Sequence, residues 1–186
     1  YLPDSIIAHL KARRSPAEYV ISDERERLLE TGGGLMKAAP LLGDVPFLCA
    51  NSDNLWVDGP RDSILMLAEL WDDAKMDALL LMIPHARATC HAGPGDFHMA
   101  ADGRLARRKP GHVAPFVYTG VQILSPRVLA DPPAQVFSTN VFWDRAMAAG
   151  RLYGASHPGL WFDVGTPQAI PVVEAAEQTI LQKVIE

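Results

Sequence analysis

The sequence predicts a three-layer α/β domain, and three observations carry that prediction. Two short continuous apolar runs, Pro46–Asn51 and Asp77–Ile83, have the length and composition of strands buried on both faces of a parallel sheet. Between them, Arg61–Trp71 sets Ile64, Leu65, Leu67, Ala68 and Trp71 along one helical stripe, with Asp62 in the first turn. The order is therefore strand, helix, strand, the rhythm of a sheet covered by helices.

The other elements follow in chain order. Asp4 is placed to cap a helix carrying Ile6, Ile7 and Leu10, which ends near Arg14 before Ser15-Pro16. Glu18–Ser22 reads as a short strand. Glu30-Thr31-Gly32-Gly33-Gly34 precedes a helical pattern over Leu35–Ala39. Its glycines suit either a structural turn or close approach of the main chain to a flat or bulky ligand. The run has neither the Gly-Lys-Ser/Thr of a Walker loop nor the spaced glycines of a dinucleotide fingerprint. Between Pro94 and Pro110 the text is turn-rich, with Gly95–Met99 and Arg104–Ala106 flanking an Asp102-Gly103 hairpin signal. Phe116–Leu124 is a longer strand interrupted by Gly120. Thr139–Gly150 is a helix with Phe142, Trp143, Ala146 and Met147 inward and Gly150 as its stop. A last helix runs from about Pro167 to the end, with Val172, Val173, Ala176, Ile180, Leu181 and Val184 as its stripe.

Composition narrows the function classes. The 186 residues suit a single domain over 1–186, with a small β-rich insertion at about 93–115. The longest apolar stretches, such as Ala78–Pro84, fall far short of the ~20 residues a bilayer helix needs, so a soluble protein is expected. A net charge of -5 argues against a nucleic-acid surface, and the basic clusters Lys11/Arg13/Arg14 and Arg104/Arg107/Arg108/Lys109 read as solvated charges. Cys49 and Cys90 make no disulfide framework, and Cys49 in its apolar run reads as a buried small hydrophobe. His85, Cys90, His91 and His98 match no paired zinc spacing. No Gly-x-Ser-x-Gly elbow supports serine catalysis. The opening Tyr1-Leu2-Pro3-Asp4 has no signal-peptide character, and the cytoplasm is the expected compartment.

Two acidic segments could carry chemistry. Asn51-Ser52-Asp53 closes a strand at the edge where α/β sheets bind ligands, and a hard cation takes one or two such carboxylates together with substrate phosphates. A turn-former or helix cap is the alternative for Asp53. Trp161-Phe162-Asp163-Val164-Gly165-Thr166-Pro167 sets a second carboxylate before a glycine and a helix start; here too a plain turn stays open.

In combination and order, the triple glycine with Leu35, Asn51-Ser52-Asp53, Phe116-Val117-Tyr118-Thr119-Gly120-Val121 and Trp161–Pro167 resemble the sugar-1-phosphate nucleotidyltransferase family over nearly the whole chain. The chain is most similar to its bacterial N-acetylmuramate-1-phosphate uridylyltransferase branch, with mannose-1-phosphate guanylyltransferases next. The resemblance implies a Rossmann-like, GT-A-like fold with a mixed, mostly parallel sheet. It also implies an Mg2+-dependent transferase that joins an NMP from an NTP, UTP favoured, to a sugar-1-phosphate and releases pyrophosphate. Asp53, with Ser52 where the family has Gly, and Asp163 would be the catalytic, metal-holding acids. Thr31, Gly32, Gly33, Gly34 and Asn51 would meet the nucleotide, while Asp96, Tyr118, Thr119 and Gly120 would meet the sugar. The place implied is nucleotide-sugar biosynthesis for cell-wall peptidoglycan recycling.

One departure bears on activity. Family members begin with a strand, a Gly-x-Gly-Thr-Arg loop and a Lys-Pro element that bind the triphosphate, and nothing at the start of this chain matches them. The resemblance thus implies an N-terminal part of about 50–60 residues preceding Tyr1, and negligible transfer by these residues alone. Two other readings stay open: a non-catalytic sugar-nucleotide-binding subunit, and a GT-A glycosyltransferase, whose Asp-x-Asp signature is replaced here by Asn51-Ser52-Asp53. The oligomeric state is not legible.

Overall fold

A computed structural model describes residues 2–185, with side chains described as far as Thr179. In chain order the elements are helices α1 (Pro3–Ala12) and α2 (Glu30–Leu42), strands β1 (Phe47–Ala50) and β2 (Asn54–Val57), helix α3 (Ser63–Leu70), strands β3 (Ala78–Pro84), β4 (Ala88–Thr89), β5 (Phe97–Met99), β6 (Leu105–Arg107) and β7 (Phe116–Leu124), helix α4 (Asn140–Ala148), strands β8 (Leu152–Ser156) and β9 (Leu160–Asp163), and helix α5 (Ile170–Ile185).

The all-apolar run predicted around Asp77–Ile83 becomes β3, at the centre of a six-stranded mixed sheet. Its neighbours are β8, parallel, and β7, antiparallel. Along β3, Ala78, Leu80 and Met82 point to one face and Leu79 and Leu81 to the other, all at most 1% exposed. Burial of each leucine contributes about 1.5–3 kcal/mol, so this strand fixes everything laid against it. α2 and α4 cover the first face through Leu35, Met36, Phe142, Trp143 and Ala146. α3 covers the second through Leu67, with Ile64 and Met66 beside it. The helix–sheet–helix sandwich is the expected α/β, three-layer, Rossmann-like architecture.

Several local expectations hold. Asp62 caps α3, its carboxylate accepting the Leu65 amide at 2.8 Å. Gly103, at φ 86°, turns the β5–β6 hairpin, and that hairpin joins the main sheet where Phe97 faces Phe116. Gly150, at φ 67°, stops α4.

Others are corrected. Pro46–Asn51 is a four-residue strand antiparallel to β7 and half-exposed, because the sheet covers only one of its edges and alternate side chains reach solvent. Cys49 in it is accordingly half-buried. Glu18–Ser22 is irregular: none of the described strands takes up its backbone groups, and Tyr19, Val20 and Ile21 are exposed. Leu2 rather than Asp4 precedes α1, and Asp4 sits in the first turn, paired with Arg25 at 3.0 Å. The glycine triplet lies inside α2 rather than before it. In α5, Val173 is buried but Val172 is exposed, while Ile180, Leu181 and Val184 lie outside the described side chains. The second sheet, β2–β9–β4, was not anticipated, nor was β8. No helix among the described residues is long and apolar enough to cross a membrane.

Candidate functional site

The small sheet builds an acid corner. β2 and β9 run antiparallel with Asn54 opposite Asp163, and the Asp53 carbonyl accepts the Val164 amide at 2.9 Å. This register puts both carboxylates on one side of Gly165: a Cβ there would lie 3.3 Å from Asp163 Oδ1 and 3.7 Å from Asp53 Oδ2. Asp163 Oδ1 accepts the Gly165 amide at 3.2 Å, and its Oδ2 faces His91 Nδ1 at 3.4 Å. Asn54 Nδ2 donates to Asp53 Oδ1 at 3.2 Å. The carboxylates border a cavity of about 190 Å³ whose walls include Asn51, His91, Asp96, Tyr118 and Trp161.

Asn51 and Tyr118 also line a second cavity of about 590 Å³, so the two adjoin at these residues along one cleft. Its walls include Thr31, Gly34, Gln122, Thr139 and Trp143. Thr31 Oγ1 accepts the Thr139 amide at 3.0 Å, tying α2 to the start of α4. Gly32 and Gly33 face elsewhere: both amides donate to the Phe137 carbonyl, at 2.8 and 3.0 Å. A Cβ on Gly32 would lie 2.6 Å from the Phe137 ring, and one on Gly33 would enter the Gln135 carbonyl. Those two glycines admit the 135–137 segment against the helix.

β7 forms the floor where the cavities meet. The Tyr118 amide donates to Asp96 Oδ2 at 2.9 Å. The Tyr118 hydroxyl is buried without a partner, and burial, with Cys49 nearby, pushes its pKa well above the usual phenol range. Burial likewise raises the Cys49 thiol, against the lowering effect of a hydrogen bond with Gln122. Gly120 adopts φ 89° and lies under Asn51 and Asn54; a Cβ would collide with the Asn54 amide, so only glycine fits. Thr119 points the opposite way: its hydroxyl, fully buried, donates to the Leu81 carbonyl at 2.8 Å, and its own carbonyl accepts the Trp161 indole N–H at 2.8 Å. The cleft thus gathers Thr31, Gly34, Asn51, Asp53, Asp96, Tyr118, Gly120 and Asp163, and leaves out Gly32, Gly33 and the Thr119 side chain.

The donor set matters for any metal. Two adjacent, partly exposed carboxylates suit Mg2+, which takes one or two carboxylates and completes its shell with substrate phosphates and water. Among the described residues no group of three or more His, Cys, Asp and Glu side chains converges. Of the sulfur and imidazole groups, His85 bonds the Gly93 carbonyl at 2.8 Å, and Cys90 and His98 are exposed.

No protein-family model matches the chain. It is 39% identical over 178 residues to an N-acetylmuramate alpha-1-phosphate uridylyltransferase of Caulobacter vibrioides, covering 94% of this chain and 74% of that protein. This chain belongs to that family of sugar-1-phosphate nucleotidyltransferases. A family member of the same name from Neisseria meningitidis serogroup B is 30% identical over 139 residues, covering 74% of this chain and 58% of its own length. The fold is shared with HddC from Yersinia pseudotuberculosis, at a TM-score of 0.69 and 19% identity over 96% of this chain and 75% of that one.

Within this nucleotidyltransferase, sequence reasoning did not single out Asn54, Gln122, Thr139 or Trp143 as part of the cleft, and placed His91 only among zinc candidates. Asn54 could have been read from its place beside Asp53. Thr139 and Trp143 reach the cleft through packing of α4 on α2, which leaves no local signal. Two basic residues of the insertion are held by the protein itself: Arg107 by Asp144 at 2.6 Å, and Arg108 by the Gly95 carbonyl at 2.9 Å.

Proposed function

We propose that the whole protein transfers a uridylyl group from UTP to a sugar-1-phosphate, the N-acetylmuramate compound foremost, in an Mg2+-dependent reaction that serves peptidoglycan recycling in the cytoplasm. A phosphate oxygen of the sugar bonds to the α-phosphorus, the bond to the β-phosphate bridging oxygen breaks, and pyrophosphate leaves with the electron pair. The observation that carries this reading is the convergence of Asp53 and Asp163 over Gly165, beside a cavity of a size to take a nucleotide's base and ribose.

Asp53 and Asp163 would hold the cation, which when bound supplies charge neutralisation between the two phosphate-bearing substrates. The chain's own groups then position. Asn51 and Tyr118 stand where nucleotide and sugar meet, Thr31 and Gly34 border the base, and Asp96 and the glycine-only approach at Gly120 shape the sugar side. Catalysis of this type rests on orientation and electrostatics. The reading includes negligible turnover by these 186 residues alone, since none of their segments matches the family's triphosphate loop.

The test is pyrophosphate release by the full-length protein over a panel of nucleoside triphosphates and sugar-1-phosphates, with and without Mg2+. UTP with N-acetylmuramate-1-phosphate is expected to be fastest; release that is independent of added divalent cation, or absent for every pair, would refute the proposal.

A further inference from the structure

His91 is held on several sides and aims one nitrogen at the acid corner. Its side chain is 18% exposed, and its ring lies 6.2 Å from that of Trp161 and 6.3 Å, edge-on, from that of His85. The main chain closes over Nε2: a Cβ on Gly93 would stand 2.6 Å from it, and Nε2 is buried without a partner. Nδ1 faces Asp163 Oδ2 at 3.4 Å. A carboxylate oxygen only accepts, so Nδ1 is the donor, and Nε2 is left as a bare lone pair. Beneath Gly93 that costs less than a buried, unmet N–H. The other oxygen, Oδ1, is taken by the Gly165 amide at 3.2 Å. Each oxygen of Asp163 therefore has its own donor, one from main chain and one from a packed ring. Asp53 has no comparable hold, its described side-chain partner being the neighbouring Asn54 amide.

We infer that His91 is a positioning residue for Asp163, fixing the rotation of that carboxylate so that its free lone pairs face Asp53 and the cleft; the inference rests on the reading of Asp163 as a metal-holding acid. Donors behind a ligating carboxylate typically change metal affinity or activity by about 10–100-fold when removed.

The experiment measures Mn2+ binding by electron paramagnetic resonance on the full-length protein without substrates, alongside the Mg2+ dependence of pyrophosphate release and the melting temperature. His91→Leu is expected to weaken Mn2+ binding and raise the half-saturating Mg2+ concentration by about 10–100-fold, with the rate at saturating Mg2+ changed far less. His91→Asn sets an amide N–H2 close to where Nδ1 stands and is expected to recover most of the affinity, whatever either substitution does to melting. Mn2+ binding by His91→Leu equal to wild type, or an Asn variant no better than the Leu variant, overturns the inference. Asp163→Asn separates the two claims. If it loses Mn2+ while His91→Leu retains it, only the role of His91 falls; if Asp163→Asn binds Mn2+ as wild type does, the metal reading falls and the inference with it.

Discussion

Asp163 stands in a β-ladder and Asp53 at its end, its carbonyl bonded to the Val164 amide, while their carboxylates border the cleft; Gly32 and Gly33 are the reverse, interior positions whose lack of a side chain is used up by the 135–137 segment. The difference teaches that a ligand-facing group needs a braced main chain and a side chain that still reaches the cleft, whereas close packing of two segments needs main-chain donors and no side chain. Gly34 lies on the boundary, one residue beyond the packed pair and lining the cavity.

That contrast can be broken in order of expected effect. Asp163→Asn in the full-length protein should lower Mg2+-dependent pyrophosphate release by about a thousandfold or more while leaving circular dichroism and melting near wild type; near wild-type activity would end the metal role. Gly33→Ala should do the opposite, costing about 1–3 kcal/mol of stability because the new methyl meets a backbone carbonyl that cannot swing aside, read as a lower denaturation midpoint. Gly34→Ala should be milder, since its methyl would meet only the Glu24 carboxylate, 2.6 Å away, the end of a side chain whose described tie is one bond from the Leu29 amide rather than a fixed backbone carbonyl. The helix-propensity gain of about 1 kcal/mol offsets that contact, so stability should hold while KM for the nucleotide rises. A stability loss equal to that of Gly33→Ala would erase the distinction between the two glycines.

The smallest effect concerns Tyr118. Its raised pKa means that the folded protein keeps the phenol proton to higher pH than the unfolded chain does. The stability so gained is complete below about pH 10 and is lost as pH climbs beyond it. Tyr118→Phe removes an unpartnered hydroxyl, so at neutral pH it should be neutral or slightly stabilising, with a shallower alkaline fall in melting temperature and a higher KM for the sugar phosphate. An alkaline limb identical to wild type would count against the burial of that phenol.

The architecture was legible where one physical signal dominates. The seven-residue apolar run Ala78–Pro84 reads as a doubly covered strand, and Asp62 could be read as standing at the start of α3, where it proves to be the N-cap. Asp53 could be placed at a strand end from the apolar run before it; Asp163 stood out only by its Trp161–Pro167 segment, because the strand β9 that carries it is formed by pairing with β2. What could not be read depends on distant partners. Glycines at 32 and 33 look like a ligand loop until Phe137 arrives from more than a hundred residues away. Thr119 reads like its neighbour Tyr118, yet the alternation of β7 turns its hydroxyl to Leu81. β2 is four residues long and exists because β9 pairs with it.

His157 sits where the chain passes from β8 toward β9, at 0% exposure. Its Nε2 meets the Leu160 carbonyl at 2.9 Å and its Nδ1 the Ser63 hydroxyl at 2.9 Å. A carbonyl can only accept, so the ring proton is on Nε2 and Ser63 donates to Nδ1. That sealed proton is a clock. It can exchange with solvent deuterium only when the β8–β9 connection opens, so the lifetime of its resonance times the breathing of the strand that carries Asp163, without a probe ever entering the cleft.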